Sequence, residues 1–506
     1  MKKIVFLFLI LSASIFSFSC NKKGKSSRVD LFSYVPADAS LVMSLNTGQL
    51  REKIDWDYLN NSPAITIFKI ALKDNIFSKY IFDGDATGVN FGGHIVIYSV
   101  IDSTKSEGKI YAIMPLLDKE KFETSIKELT KTETFTKNKE YTSCAGQGML
   151  AGWTEDIVLM VITPDEQAEG SFLSAELDSA FDVKKPMPLD SKVFADFRKK
   201  NADINIWGDP KSIMKSMPVD LSRNPFKDTE GIYGLTFNKG DITIDFDAYP
   251  KDEKGKEILS KLMNRLPENN MIQHLPDAYT MLVQLSAEPT NVIDYAEEVT
   301  GKDVMEKLKN EIDSSLSKDD IAALVSKLEG DILISLGRIN TENPSFVLTA
   351  SVSGENLIES MSVLAKNHII YKNGDMTILT KGNDTIYAAE KNKLIAIASS
   401  ASAVEQALDG RSSPQKISSE VSNAIQKNPF VFYLDAAKMF ENFSDPEMGM
   451  ITNIVGNMFQ DAIIIAEPLK DDKVYGVMKI NLTNKDDYSI NVMLKTLLES
   501  SGTLFN

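Results

Sequence analysis

Residue types that carry out covalent or acid–base chemistry are sparse in this chain, and their spacing restricts what they could do. Three histidines, His94, His274 and His368, stand far apart, with no HExxH and no paired spacing of the kind zinc requires. His94 and His274 each precede an apolar run, which places both at strand edges rather than in a ligand set. Cys144 lies in Thr142-Ser143-Cys144-Ala145-Gly146 with no histidine nearby to lower its pKa, so it reads as a small sheet or loop residue and not a nucleophile. Ser212-Ile213-Met214-Lys215 satisfies the SxxK nucleophile pattern at an expected helix start. Its SDN and KTG companions are missing, however, and the same short pattern recurs at Ser106–Lys109 and Ser413–Lys416. Asp83-Gly84-Asp85-Ala86-Thr87-Gly88 begins like a calcium loop, with oxygens at alternate positions and a glycine for the turn. Its twelfth position is His94 where a bidentate glutamate is needed, so a solvated turn is the better reading. There is no GxSxG elbow and no phosphate-cradling glycine loop. The patterns therefore nominate no catalytic residue, no cofactor and no metal ligand.

Charge narrows the partners. The formal net charge is −16, and removing residues 1–19 takes away Lys2 and Lys3 but no acid, which leaves −18. Such a body repels phosphate backbones, and no basic cluster is large enough to offset it, which excludes nucleic acid as a partner. The one basic patch, Lys22, Lys23, Lys25 and Arg28, suits a solvated tether beside a membrane. Acidic pairs such as Asp471-Asp472 and Asp486-Asp487 fall in expected turns or helix starts, where water and the helix dipole stabilise a carboxylate without any catalytic role. Met361 and Met439, among twenty methionines, occupy inward helical positions and read as core.

The elements that must position these residues show a repeated order. Tyr34 to Asn46, YVPADASLVMSLN, is echoed by His274 to Ser286, HLPDAYTMLVQLS. Each stretch has a proline suited to a sheet edge, an apolar run suited to a strand, then polar residues with Gly48 or Pro289 where a helix starts. A hairpin over Gly93–Ile101 and Lys109–Leu117 leads to a helix over Asp118–Lys131. Gly330–Ile339 and Ser345–Val352 lead likewise to a helix bearing Leu357, Met361 and Leu364. Ile242-Thr243-Ile244-Asp245-Phe246-Asp247 alternates like a half-buried strand, and Ile463-Ile464-Ile465-Ala466 reads as one covered on both sides. This grammar predicts an α+β fold of two tandem related halves, residues 30–266 and 274–506, each an antiparallel or mixed sheet with helices packed on one face.

The N-terminus points to export. Lys2 and Lys3 precede an apolar run from Ile4 through Phe18 that is short for a membrane span, the signature of a signal peptide over residues 1–19. It ends in Ser17-Phe18-Ser19-Cys20, which resembles the lipobox of bacterial lipoproteins, although the usual leucine three residues before the cysteine is absent. The resemblance makes Cys20 the lipidation site and residues 20–29 a tether. A cleaved signal with an incidental cysteine, or a retained anchor, leaves the pairing of a small residue with Cys20 unexplained. With Cys20 lipidated, Cys144 has no disulfide partner within the chain, and a domain this long needs none.

Together, the lipobox, the Val-Pro-x-Asp-Ala strand at Val35–Ala39 and its echo at Leu275–Ala278 resemble a group of lipoproteins of unknown function from Bacteroidetes. Asn21-Lys22-Lys23-Gly24-Lys25 lacks the acidic residues that mark surface-exported lipoproteins of that phylum, so the resemblance implies an outer-membrane anchor facing the periplasm. Three functional classes follow: a non-catalytic module binding a small ligand or envelope protein, a structural assembly component, and a hydrolase whose Asp/Glu pair meets only in the fold. The first accords best with a duplicated pattern that carries no catalytic motif.

Overall fold

The computed structural model describes residues 29–63, 65–67, 84–102, 107–131, 134–146, 149–162, 170–184, 186–187, 191–208, 229–276, 279–300, 303, 306–307, 317–337, 345–354, 357–364, 369–381, 384–410, 417–441 and 456–504. The chain divides into two compact units. One comprises Met1–Pro218, Glu230–Ile242 and Asn484–Asn506, the other Val219–Thr229 and Thr243–Thr483.

In the first unit the strands are β1 (Leu41–Asn46), β2 (His94–Asp102), β3 (Glu107–Pro115), β4 (Thr136–Lys137), β5 (Thr142–Gly146), β6 (Met149–Trp153), β7 (Ile157–Ile162), β8 (Ile204–Gly208) and β9 (Thr229–Phe237). They lie in the order β9-β8-β1-β2-β3-β7-β6-β5-β4, every neighbour antiparallel. β7 is buried along its whole length, as its unbroken apolar run requires. Successive residues of β6 show what covers it. Trp153 meets Phe122 of the helix Lys119–Thr130 edge to face at 5.4 Å, while a Cβ on Gly152 would press on Leu177 and Phe181 of the helix Gly170–Phe181. Because adjacent strand residues point to opposite faces, helices cover both sides.

The second unit holds β10 (Asp241–Pro250), β11 (Met281–Ser286), β12 (Leu328–Leu336), β13 (Phe346–Val352), β14 (Ile369–Asn373), β15 (Met376–Lys381), β16 (Asp384–Lys391), β17 (Leu394–Ala398), β18 (Phe430–Asp435), β19 (Phe459–Ala466) and β20 (Val474–Leu482). Their order is β10-β20-β19-β18-β11-β12-β13-β17-β16-β15-β14. Here too both faces are covered. Ala396 packs with Val404, Ala407, Val421 and Ile425 from the helices Ala401–Asp409 and Ser419–Lys427. Its neighbour Ile395 packs with Ile321, Leu324 and Leu357 from the helices Lys318–Val325 and Leu357–Leu364. In β19 the dense apolar run is only partly covered: Ile463 and Ala466 are buried, Ile464 and Ile465 half-buried.

These observations correct the expected architecture. The α+β character holds, but the chain does not form two tandem halves, each with its own sheet and helices on one face. β10, which falls in residues 30–266, pairs within the second unit with β20, helices lie on both faces of each unit's sheet, and the last segment, Asn484–Asn506, belongs to the first unit. The physical reason is edge pairing. A strand's alternation specifies which face is buried but not which neighbour satisfies its backbone N–H and C=O groups, and an exposed edge is a liability that further pairing removes. β10 accordingly pairs with β20. What recurs is the pairing order, β8-β1-β2-β3-β7 in one unit and β18-β11-β12-β13-β17 in the other.

Candidate functional site

A cavity of about 420 Å³ opens on one face of the first unit, floored by β1, β2 and β8 and lined by Ser44, Asn46, His94 and Asn205. The walls come from the 3-10 turn Leu31–Tyr34 and the helix Lys192–Lys199. That helix starts at Ser191, whose hydroxyl accepts the Phe194 N–H, and its Phe194 and Phe197 are buried against the sheet. Phe32 meets both rings edge to face, at 5.9 and 5.7 Å, and so fixes the turn to the helix. Arg198 closes the contact, donating to Asp30 at 2.8 Å and lying 5.4 Å over the Phe32 ring. Asp30 also accepts the Phe32 N–H at 3.1 Å, which caps the turn.

The floor is set by strand register. Asn46 faces His94 across β1 and β2, and Ser44 faces Val96 on one side and Asn205 on the other. Asn46 is also the N-cap of the helix Thr47–Lys53, its Oδ1 accepting the Gln49 N–H at 3.1 Å, which leaves Nδ2 to the cavity. Thr47 donates to the Gly93 carbonyl at 2.6 Å, and a Cβ on Gly48 would sit 2.8 Å from the Gly92 oxygen, so this helix start tolerates only glycine there. His94 turns Nδ1 toward Ser44 Oγ at 3.3 Å. Although the residue is exposed at the cavity mouth, desolvation of its ring lowers the imidazole pKa and favours the neutral form. Asn205 is engaged by Ala202, accepting its N–H and donating to its carbonyl.

Beside this floor, Asp203 is fully buried, with Oδ2 accepting from Lys53 Nζ at 2.6 Å and from the Phe237 N–H at 2.7 Å. A second cavity, about 650 Å³, is lined by Asp38, Asp178 and Asp182. All three are exposed, and Asp178 accepts the Tyr141 hydroxyl at 2.6 Å. Among the described residues no group of three or more His, Cys, Asp or Glu could hold a metal ion.

Residues singled out by sequence are scattered. His274 sits far along the chain, its ring nitrogen against the Ala407 carbonyl. Cys144 lies buried in β5, where desolvation pushes its thiol up to about 11. The stretch that begins like a calcium loop, read from sequence as a turn, holds a 3-10 turn over Gly84–Thr87, with Thr87 Oγ1 donating to the Gly84 carbonyl. Lys109 pairs with Glu176. Met439 is half-buried, and Asp471 and Asp472 form a left-handed turn. Cys20, Lys22, Lys23, Lys25, Arg28, His368, Ser212–Lys215 and Ser413–Lys416 lie outside the described residues, as does the Met361 side chain. Sequence reasoning missed Ser44, Asn205, Arg198 and Asp30. A signal for the first two exists: each interrupts an apolar strand run, Val42-Met43-Ser44-Leu45 and Ile204-Asn205-Ile206.

Fold and cavity define an antiparallel α+β protein with a polar, sheet-floored cleft. The chain belongs to the family described as a domain of unknown function, DUF4836, whose model matches residues 33–407. No curated protein matches it. Crystal form IV of TP0453 aligns at 11% identity and a TM-score of 0.28, covering 44% of this chain and 81% of that one. Form III aligns at 10% identity and 0.26, covering 47% and 88%. Scores this low do not establish a common fold. Among the described residues no helix is long and apolar enough to cross a membrane.

Proposed function

We propose that this protein is a lipid-anchored component of the cell envelope, attached through Cys20 to the outer membrane facing the periplasm, and that it acts as a non-catalytic binding module. The observation that carries the binding reading is the cleft over β1, β2 and β8. Its polar groups belong to rigid strands, the kind of scaffold on which a pre-formed site is built. The anchor reading is supported by the apolar N-terminal run ending in Ser19-Cys20.

The test is fractionation of cells producing the full chain, wild type or Cys20→Ala, combined with mass analysis of the N-terminal peptide. The expected result is wild type in the membrane fraction with a lipid-modified cysteine as its first residue, and the variant released or retained as an unprocessed precursor. An unmodified Cys20 in the wild type would refute the anchor.

A further inference from the structure

We propose that the cleft over β1, β2 and β8 binds an uncharged polyhydroxylated ligand, a mono- or disaccharide, through Ser44, Asn46 and His94. This rests on reading the cleft as a binding site. The floor is made of a hydroxyl, an amide and an imidazole. With Nδ1 of His94 directed at Ser44 and Oδ1 of Asn46 spent on Gln49, the atoms left facing the cavity are His94 Nε2 and Asn46 Nδ2. Such a set suits vicinal hydroxyls, each of which both donates and accepts. Phe32 and Phe197 supply the apolar part of the wall, and 420 Å³ falls within the range of small-molecule sites.

An anionic ligand fits less well. Arg198 is neutralised by Asp30 at 2.8 Å, and a body carrying −18 after loss of residues 1–19 repels anions.

The other strand set provides an internal comparison. Ser286 and Asp331 face each other across β11 and β12 as Asn46 and His94 do across β1 and β2, and Gln284 stands where Ser44 stands. There the polar groups are fully buried and bond mainly to one another, although Gln284 Oε1 has no partner. Asp331 accepts from the Glu268 and Asn269 N–H groups and from Ser286 Oγ, and Gln284 donates to Ser286. The same register thus seals its polar groups from solvent in one unit, whereas in the other it sets buried Ser44 and Asn46 beside the exposed His94 at a cavity.

Because the chain has only three histidines, ring proton resonances report on the cleft directly. The full chain, held in a detergent without a sugar headgroup, is titrated with D-glucose, N-acetyl-D-glucosamine and maltose, and separately with acetate and glutamate. The His94 signal is identified by its loss in His94→Gln. Saturable movement of that signal with at least one sugar and with neither carboxylate, weakened roughly tenfold by Ser44→Ala (about 1.4 kcal/mol), is the expected result. An unchanged His274 signal verifies that the variant is folded. Movement with the carboxylates alone would overturn the ligand class while leaving the cleft a binding site. No movement with any probe would overturn both.

Discussion

At the scale of single residues, the deciding property is whether a buried polar atom has a partner. Asp331 is fully buried, yet it accepts from the Glu268 N–H at 3.1 Å, the Asn269 N–H at 2.9 Å, Asn269 Nδ2 at 2.9 Å and Ser286 Oγ at 2.9 Å. Truncation strands two backbone donors at once, so Asp331→Ala should cost on the order of 3 kcal/mol in urea unfolding, and Asp331→Asn, which keeps one acceptor oxygen, distinctly less. A loss below about 1 kcal/mol for the alanine variant would mean that water replaces the carboxylate at no penalty. Little of this was legible in advance. Asp331 follows Gly330 at what reads as a plain strand start, and only the fold brings Glu268 and Asn269 to it. Ser44 and Asn205 were more visible, since a polar residue inside an apolar strand run must find either a partner or a cavity.

At the scale of elements, the helix Ser489–Leu504 shows how a short polar cluster docks a segment. Asn491 accepts the Asp55 N–H at 2.8 Å and donates to the Lys53 and Asp487 oxygens at 2.8 Å each, while Lys495 bridges Asp487 at 2.8 Å and Asp55 at 3.1 Å. Asn491 is buried, so Asn491→Ala should destabilise by about 1–3 kcal/mol, read as a lower thermal midpoint and faster hydrogen exchange in this helix and in Thr47–Lys53. Burial alone would raise the Asp487 pKa, but the bonds from Lys495 and Asn491 outweigh it and hold the carboxyl below its ordinary 3.8. A depressed carboxylate contributes stability that is complete above 3.8 and lost as the pH falls below it through the folded value. The acid limb of a stability–pH curve should therefore be shallower in Asp487→Asn. An unchanged limb would show that this cluster does not couple to protonation. Element order was legible here because apolar spacing and caps are local: the expected hairpin and helix over 93–131 match β2, β3 and Lys119–Thr130 within a few residues. Face coverage was not, because it depends on which distant helix reaches each side.

At the scale of the whole molecule, the exchange of segments between the two halves of the chain reverses an inference that the repeated pattern made attractive. Tandem halves would fold as fragments 30–266 and 274–506, each carrying its own core. The observed partition removes a necessary piece from each. Fragment 30–266 lacks Asn491 and Lys495, leaving the Lys53 carbonyl and the Asp55 N–H without the partners that hold them. Fragment 274–506 lacks β10, which exposes the edge of β20 with its Val474, Val477 and Ile480. A bare apolar edge of nine residues is a template for intermolecular pairing. Expressed separately, the first fragment should unfold at lower denaturant with reduced cooperativity, and the second should aggregate. Co-expression should recover soluble material, because the missing pieces are then supplied in trans. If each fragment instead melted sharply as a monomer, the elements shared across residue 266 would be accessory and not structural, and the order of pairing would matter less than the order of the chain.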